Sequence, residues 1–75
     1  MNRWEYLKVD YEKTGGIHRV RSVNDIEVSN WKTGRSVAEY ANQLGLDGWE
    51  IAAASPTESG TLSPLMTVWF RRQRA

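Results

Sequence analysis

The sequence predicts an α+β domain in which a mostly antiparallel sheet of three to five strands packs on one α-helix, in the order β-[ββ]-α-β-β. Residues 36–44 combine a helix start signal with one apolar face. Alternating or β-branched stretches lie on both sides of that segment, and turn-forming residues separate them. We expect a single domain over residues 1–75, because a chain of this length is near the lower limit for one core.

The chain begins with an alternating stretch, residues 3–11, which predicts a strand with two different faces. One face would carry Leu7, Val9 and Tyr11, and the other would carry Trp4 and Tyr6.

Turn signals then divide the segment before the helix. Thr14-Gly15-Gly16 predicts a turn or loop. Two stretches containing β-branched residues, Ile17–Val23 and Ile26–Trp31, flank Asn24-Asp25 and predict a hairpin.

The helix is predicted from both of its ends. Ser36 and Glu39 have the spacing of a capping box. Gly45 is expected to be the left-handed residue that ends the helix, with Leu46 packing back on the last turn. The positions i, i+3, i+4 and i+7 of the apolar face are Val37, Tyr40, Ala41 and Leu44.

Two strands should complete the sheet. We expect them at Trp49–Ser55 and Leu65–Arg72, joined by a loop over residues 56–61, with Pro64 at the start of the second. The face toward the helix should carry alternate residues of the first of these strands, together with Leu7, Val9, Met66, Val68 and Phe70. The opposite face should carry Trp4, Tyr6, Leu65, Thr67 and Trp69.

Composition excludes several classes of protein. Ten basic and nine acidic side chains give a net charge of +1, so no global field attracts nucleic acid, and we expect no nucleic-acid partner. The chain has no cysteine, which excludes disulfides and thiolate metal sites. No apolar run approaches the ~20 residues that span a bilayer. We therefore expect a cytoplasmic protein without a membrane partner.

Three motifs resemble the domain-of-unknown-function 4177 family of small phage and bacterial proteins. They are Trp4-Glu5-Tyr6, Gly45-Leu46-Asp47-Gly48-Trp49-Glu50 and Val68-Trp69-Phe70-Arg71-Arg72. The resemblance implies an opening strand, a helix that ends in Gly-x-x-Gly-Trp-Glu, and a closing strand that ends on basic residues. It implies no activity. Residues 13–35 depart from the family pattern and are expected to form a hairpin or a lid.

One helix covers only one face of a sheet, so the aromatic residues of the other face need a partner. Three occupants are open at this point. Residues 13–35 could fold back over the sheet, a second copy could pair face to face or edge to edge, or a ligand could stack on the aromatics. We favour a homo-oligomer, since mass action would also stabilise a marginal fold.

Catalysis finds little support in the sequence. His18 has no evident orienting partner, and Ser55 and Ser59 lie in turn-like surroundings rather than in a nucleophile elbow. Glu50 is expected to form a salt bridge with an arginine at a strand edge. We therefore expect no enzyme activity, no catalytic residues, no metal and no cofactor.

The arginines suggest a ligand instead. An arginine offers a bidentate fork to phosphate, and tryptophan or tyrosine stacks on a base. We expect a non-enzymatic binding module that holds an anionic, nucleotide-like ligand, as a sequestering phage counter-defence protein would. The alternative is a protein–protein interaction or structural homo-oligomer without a small ligand. The candidate ligand-binding residues are Trp4, Tyr6, Arg19, Arg21, Trp69, Arg71 and Arg72.

Overall fold

The computed structural model describes residues 3–57 and 65–74. The described residues form a five-stranded antiparallel sheet with one α-helix, as predicted. In chain order the elements are β1 (Arg3–Thr14), β2 (Ile17–Val23), β3 (Ile26–Glu27), a 3₁₀ turn (Trp31–Thr33), α1 (Val37–Leu46), β4 (Glu50–Thr57) and β5 (Leu65–Arg74). The sheet order is β3-β2-β1-β5-β4.

A two-residue turn joins β1 to β2. Gly15 and Gly16 have φ angles of 58° and 82°, and Thr14 pairs directly with Ile17. Two successive positive φ angles define the tight hairpin turn whose twist matches its strands, and glycine adopts them without a Cβ clash. The predicted turn is confirmed, and β1 extends three residues beyond the predicted Tyr11 because Glu12, Lys13 and Thr14 all pair with β2.

The predicted hairpin around Asn24-Asp25 is also confirmed. Asn24 and Asp25 have φ angles of 51° and 67°, which asparagine and aspartate tolerate better than most residues. The Asn24 side-chain oxygen accepts a hydrogen bond from the backbone N–H of Lys8 at 3.0 Å and anchors the turn on β1. The second strand of this hairpin is only two residues long, because the chain bends at Asn30 (φ 57°) into the 3₁₀ turn.

The helix begins as predicted and ends later than predicted. The Ser36 side chain accepts from the Glu39 N–H at 3.3 Å, and Glu39 accepts from the Ser36 N–H, which completes the capping box. Gly45 lies within the helix, so its expected role as the left-handed end residue is wrong. Gly48, with φ 85°, has that role. Leu46 is 90% exposed and does not pack back on the last turn.

The core lies between α1 and one face of the sheet. The predicted helix-facing residues of β1 and β5 all belong to it or pack against it, and so do the four apolar helix residues. Its buried members are Val9, Tyr11, Val20, Leu44, Val68 and Phe70. Tyr11 and Val9 are the largest completely buried side chains among the described residues, so the core is centred on β1.

The last two strands are longer than predicted. β4 includes Pro56 and Thr57, which were expected in a loop, and β5 continues past Arg72 to Arg74. The rest of the predicted loop, together with Ser59 and Pro64, lies outside the described residues. Within the described ranges no helix is long and apolar enough to cross a membrane.

Candidate binding surface

The face of the sheet opposite α1 carries an exposed aromatic group. Because neighbouring strand residues point to opposite faces, the burial of Val9 in the core places Trp4 and Tyr6 on the other side. On β5 the same alternation places Trp69 and Arg71 there, and Tyr6 pairs with Arg71 in register. Trp4, Tyr6 and Trp69 are 44%, 55% and 41% exposed. We call Trp4, Tyr6, Trp69 and Arg71 the aromatic face.

Arg71 is held by two neighbours on this face. Its guanidinium lies 4.5 Å from the centroid of the Trp4 ring, a cation–π contact. Its Nε donates to Oε1 of Glu50 at 2.9 Å, which is the salt bridge with an arginine that the sequence predicted for Glu50. Glu50 lies on the neighbouring strand β4, directly opposite Arg71. These two contacts hold the Arg71 side chain on the aromatic face, and the Glu50 carboxylate compensates part of its charge.

A polar cluster lies next to the aromatic face, where Asp10 pairs with Thr67 two residues beyond Trp69. Asp10 is only 8% exposed, and its carboxylate accepts from Ser22 Oγ at 2.9 Å and from Thr67 Oγ1 at 2.6 Å. These bonds join β2, β1 and β5, so they stabilise the sheet. Next to them, the hydrogen bond to Asp25 and the nearby Asp10 charge raise the pKa of Lys8. Asp10 already has partners from its own chain, which is the pattern of a structural carboxylate.

The arginines of β2 hold the segment that follows β3. Arg19 donates to the backbone oxygen of Gly34 at 2.6 Å. Arg21 lies 3.3 Å from Glu12 and 3.0 Å from Glu27, and its guanidinium is 4.4 Å from the ring of the buried Trp31. These contacts attach residues 27–34 to β2.

Arg19 and Arg21 lie apart from the aromatic face. Glu12, which binds Arg21, is six residues along β1 from Tyr6 and four from Lys8, the partner of Trp69, which are distances of ~20 Å and ~13 Å in a strand.

Arg72 lies on the helix side of the sheet. Its guanidinium is 4.5 Å from the ring of Trp49, a residue that packs against the core. It also bonds to the carboxylate of Glu5 and donates to the backbone oxygen of Asp47 at 3.1 Å. Of the seven candidate residues, the structure brings together Trp4, Tyr6, Trp69 and Arg71. It places Arg19 and Arg21 at the far end of the sheet and Arg72 on the opposite side.

Residues 13–35 leave the aromatic face open. They supply β2, β3 and the 3₁₀ turn, and Trp31 is their buried anchor. The expected hairpin is present, and the segment extends the sheet sideways instead of covering the three aromatic residues. The side chain of Leu65, which was also expected on this face, lies outside the described part of the chain.

Sequence reasoning missed an apolar cavity on the helix side, with a volume of about 300 Å³. It lies between β2, the segment after β3 and α1. The residues that line it are Val20, Val23, Val28, Gly34, Arg35 and Tyr40. No local pattern predicts this cavity, because it depends on how residues 28–35 fold back toward the helix.

The described residues contain no cluster of three or more histidine, cysteine or acidic side chains that could hold a metal ion. His18 lies half-buried in β2, opposite Lys13. Comparisons of the chain with protein-family models, curated proteins and solved structures found no match.

Proposed function

We propose that this protein is a non-enzymatic binding module and that the aromatic face is its binding surface. The observation that carries the proposal is the exposure of Trp4, Tyr6 and Trp69 on one side of the sheet. Monomeric proteins seldom leave large adjacent apolar side chains in water, and such patches usually mark a binding site. The resemblance to the domain-of-unknown-function 4177 family remains part of this proposal and adds no activity to it.

The first candidate occupant is a nucleotide-like ligand. Its base would stack on an exposed indole or phenol ring, and Arg71 would contact its phosphate while resting on Trp4. Within the described ranges, Arg71 is paired with Glu50, and the other three candidate arginines bind groups of their own chain away from this face. The surface therefore suits a ligand with few phosphates better than a long polyanion, whose binding needs many cationic contacts.

Thermal unfolding in the presence of mono-, di- and cyclic nucleotides tests this candidate. A ligand present at 100 times its Kd adds about 2.7 kcal/mol to the stability, which raises the Tm of a domain this size by about 10–20 °C. We expect at least one nucleotide to raise the Tm of the wild type. The shift should be lost in Trp69→Ala and reduced in Arg71→Ala.

Ile26→Ala is the matched control, because Ile26 is an exposed apolar residue on the opposite edge strand. It should keep the full ligand-induced shift. A Tm that no nucleotide changes at millimolar concentration would remove the nucleotide candidate. An equal loss of the shift in all three variants would show that the ligand does not bind at the aromatic face.

A protein surface is the second candidate occupant. It is favoured by the ion pair between Arg71 and Glu50, which leaves the aromatic face with little uncompensated charge. Tryptophan, tyrosine and arginine are also the residues that dominate protein–protein binding energies. For a homo-oligomer formed through this face, Trp69→Ala should dissociate the assembly and Arg71→Ala should have a smaller effect. For a nucleotide site, both variants should keep their assembly state, while ligand binding is lost in Trp69→Ala and weakened in Arg71→Ala.

A further inference from the structure

The apolar cavity on the helix side of the sheet is a second place where a ligand could bind. Val20 and Val23 of β2 line it on the face that also carries the core. Val28 and Gly34, from the segment after β3, line it on one side, and Tyr40 of α1 lines it on the other. The aromatic face lies on the opposite side of the sheet, so the two sites are independent.

The size and lining of the cavity suit a small apolar molecule. Its volume is about 300 Å³, at the lower end of the range for small-molecule sites. This is twice the ~150 Å³ of an apolar cavity that holds benzene, so it corresponds to about 8–12 carbon atoms. Three valines and a tyrosine dominate the lining. Water would find few hydrogen-bond partners there, whereas an apolar molecule would gain packing contacts.

Backbone hydrogen bonds fix the segment that borders the cavity. The Val28 N–H donates to the Arg21 oxygen at 2.9 Å, and the Val20 N–H donates to the Arg35 oxygen at 3.1 Å. The segment is therefore attached to β2 at both of its ends. A ligand would enter a preformed site, and its binding energy would not be spent on ordering the chain.

Arg35 supplies a positive charge at the mouth of the cavity. It is the one exposed residue of the lining. Its guanidinium donates to the side-chain oxygen of Gln43, which is a neutral group. The acid nearest to it in the chain, Glu39, caps α1 through Ser36. Among the described residues no carboxylate pairs with Arg35, so its charge and its remaining donors are available to an anion.

We propose that this cavity binds an amphipathic monocarboxylate with an apolar body of about 8–12 carbon atoms. The apolar body would lie against Val20, Val23 and Tyr40, and the carboxylate would bind Arg35. The single cation at the mouth matches a single anionic charge, and the planar guanidinium matches the geometry of a carboxylate. A medium-chain fatty acid has this chemistry.

Octanoate and 1-octanol test the proposal as a pair, because they have the same chain length and differ in charge. In ¹³C-edited NMR spectra, octanoate should shift the methyl signals of Val20, Val23 and Val28. The methyl signals of Val68, a core residue of β5, should not move. The Kd of octanoate should be about 1 mM or lower. At the same concentration, 1-octanol should give smaller shifts of the same methyl groups.

The variant Arg35→Gln tests the role of the charge. Its affinity for octanoate should be about tenfold lower, and its response to 1-octanol should be unchanged. Arg74→Gln is the matched control and should bind octanoate as the wild type does. Arg74 is exposed and pairs with Arg3, six residues along β1 from Val9. Val28→Phe should fill the cavity and abolish the binding of both compounds.

Trp69→Ala separates this site from the aromatic face and should keep the wild-type affinity for octanoate. Amide spectra show whether each variant is folded, and Arg35→Gln decides the matter if Val28→Phe does not fold. Three results would each overturn the proposal: valine methyl signals that do not move at millimolar octanoate, equal octanoate affinity in the wild type and Arg35→Gln, or loss of the shifts in Trp69→Ala. The failure of every nucleotide to bind would refute the nucleotide candidate alone.

Discussion

At the scale of single residues, Tyr11 shows how one buried group can affect stability. Its side chain is inaccessible to solvent, and its hydroxyl has no hydrogen-bond partner within residues 3–57 and 65–74. A buried hydroxyl without a partner loses its bonds to water and gains nothing in return. Burial, and secondarily the nearby Tyr40, raise the pKa of Tyr11 above its ordinary value of 10.0.

We predict that Tyr11→Phe makes stability less dependent on pH in alkaline solution. In the unfolded chain Tyr11 ionises near pH 10, whereas the folded state keeps it protonated to a higher pH. The unfolded state therefore loses its proton first, and stability that is present below pH 10 falls as the pH rises above it. Urea unfolding from pH 7 to 11 should show a weaker decline in the variant.

Tyr6→Phe is the control for this prediction, because Tyr6 is exposed and should leave the alkaline decline unchanged. At pH 7, Tyr11→Phe should change the free energy of unfolding by less than about 1 kcal/mol. A larger loss at pH 7 would mean that the hydroxyl makes a stabilising bond.

At the scale of elements, the end of α1 explains why Gly48 has the role expected of Gly45. The Trp49 N–H donates to the Leu44 oxygen at 3.0 Å, and the Gly48 N–H donates to the Gly45 oxygen at 3.1 Å. This pair of bonds is the Schellman motif, in which the left-handed residue is Gly48. Trp49 and Leu44 also belong to the same apolar cluster. The packing of Trp49 on the core therefore selects which of the two glycines ends the helix.

The two glycines should respond in opposite ways to alanine. A Cβ added at either position meets no atom within 4 Å, so only backbone conformation distinguishes them. Gly48→Ala should lower the free energy of unfolding by about 1–2 kcal/mol, because an L-residue is strained at φ 85°. Gly45→Ala should raise it by up to about 1 kcal/mol, because alanine is the better helix former. Urea midpoints with unchanged m-values measure both, and the reverse order would place the helix end at Gly45.

At the scale of the whole molecule, the two faces of the sheet have different roles. One face is buried under α1, and the other carries the aromatic face. A chain of 75 residues has a total stability of about 4–11 kcal/mol. The loss of one core side chain is therefore a large fraction of the total, whereas the loss of a half-exposed one is not.

Adjacent residues of β5 test this division. Phe70 is 2% exposed and belongs to the core, whereas Trp69 belongs to the aromatic face. Phe70→Ala should cost about 3–5 kcal/mol, and Trp69→Ala less than about 2 kcal/mol. Guanidinium unfolding at fixed protein concentration measures both values. Equal costs would mean that the aromatic face is part of the folded core.

Much of the candidate site could be predicted because strand alternation is a local property. The spacing of Trp4, Tyr6 and Trp69 relative to Val9 and Phe70 was enough to place the three aromatic residues together on the face away from the helix. The arginines could not be placed in the same way. Arg72 is adjacent to Arg71 in the chain, yet it stacks on Trp49 on the other side of the sheet.

The sequence by itself determined the order of the strands and the helix, the two tight turns, and the core-facing residues of β1, α1 and β5. Those features depend on neighbours a few residues apart, namely a capping box, paired turn residues and apolar periodicity. Only the tertiary structure decided the helix end at Gly48, the separation of Arg19 and Arg21 from the aromatic face, and the apolar cavity between β2 and α1. These depend on contacts and strand order between residues far apart in the chain, which local patterns do not encode.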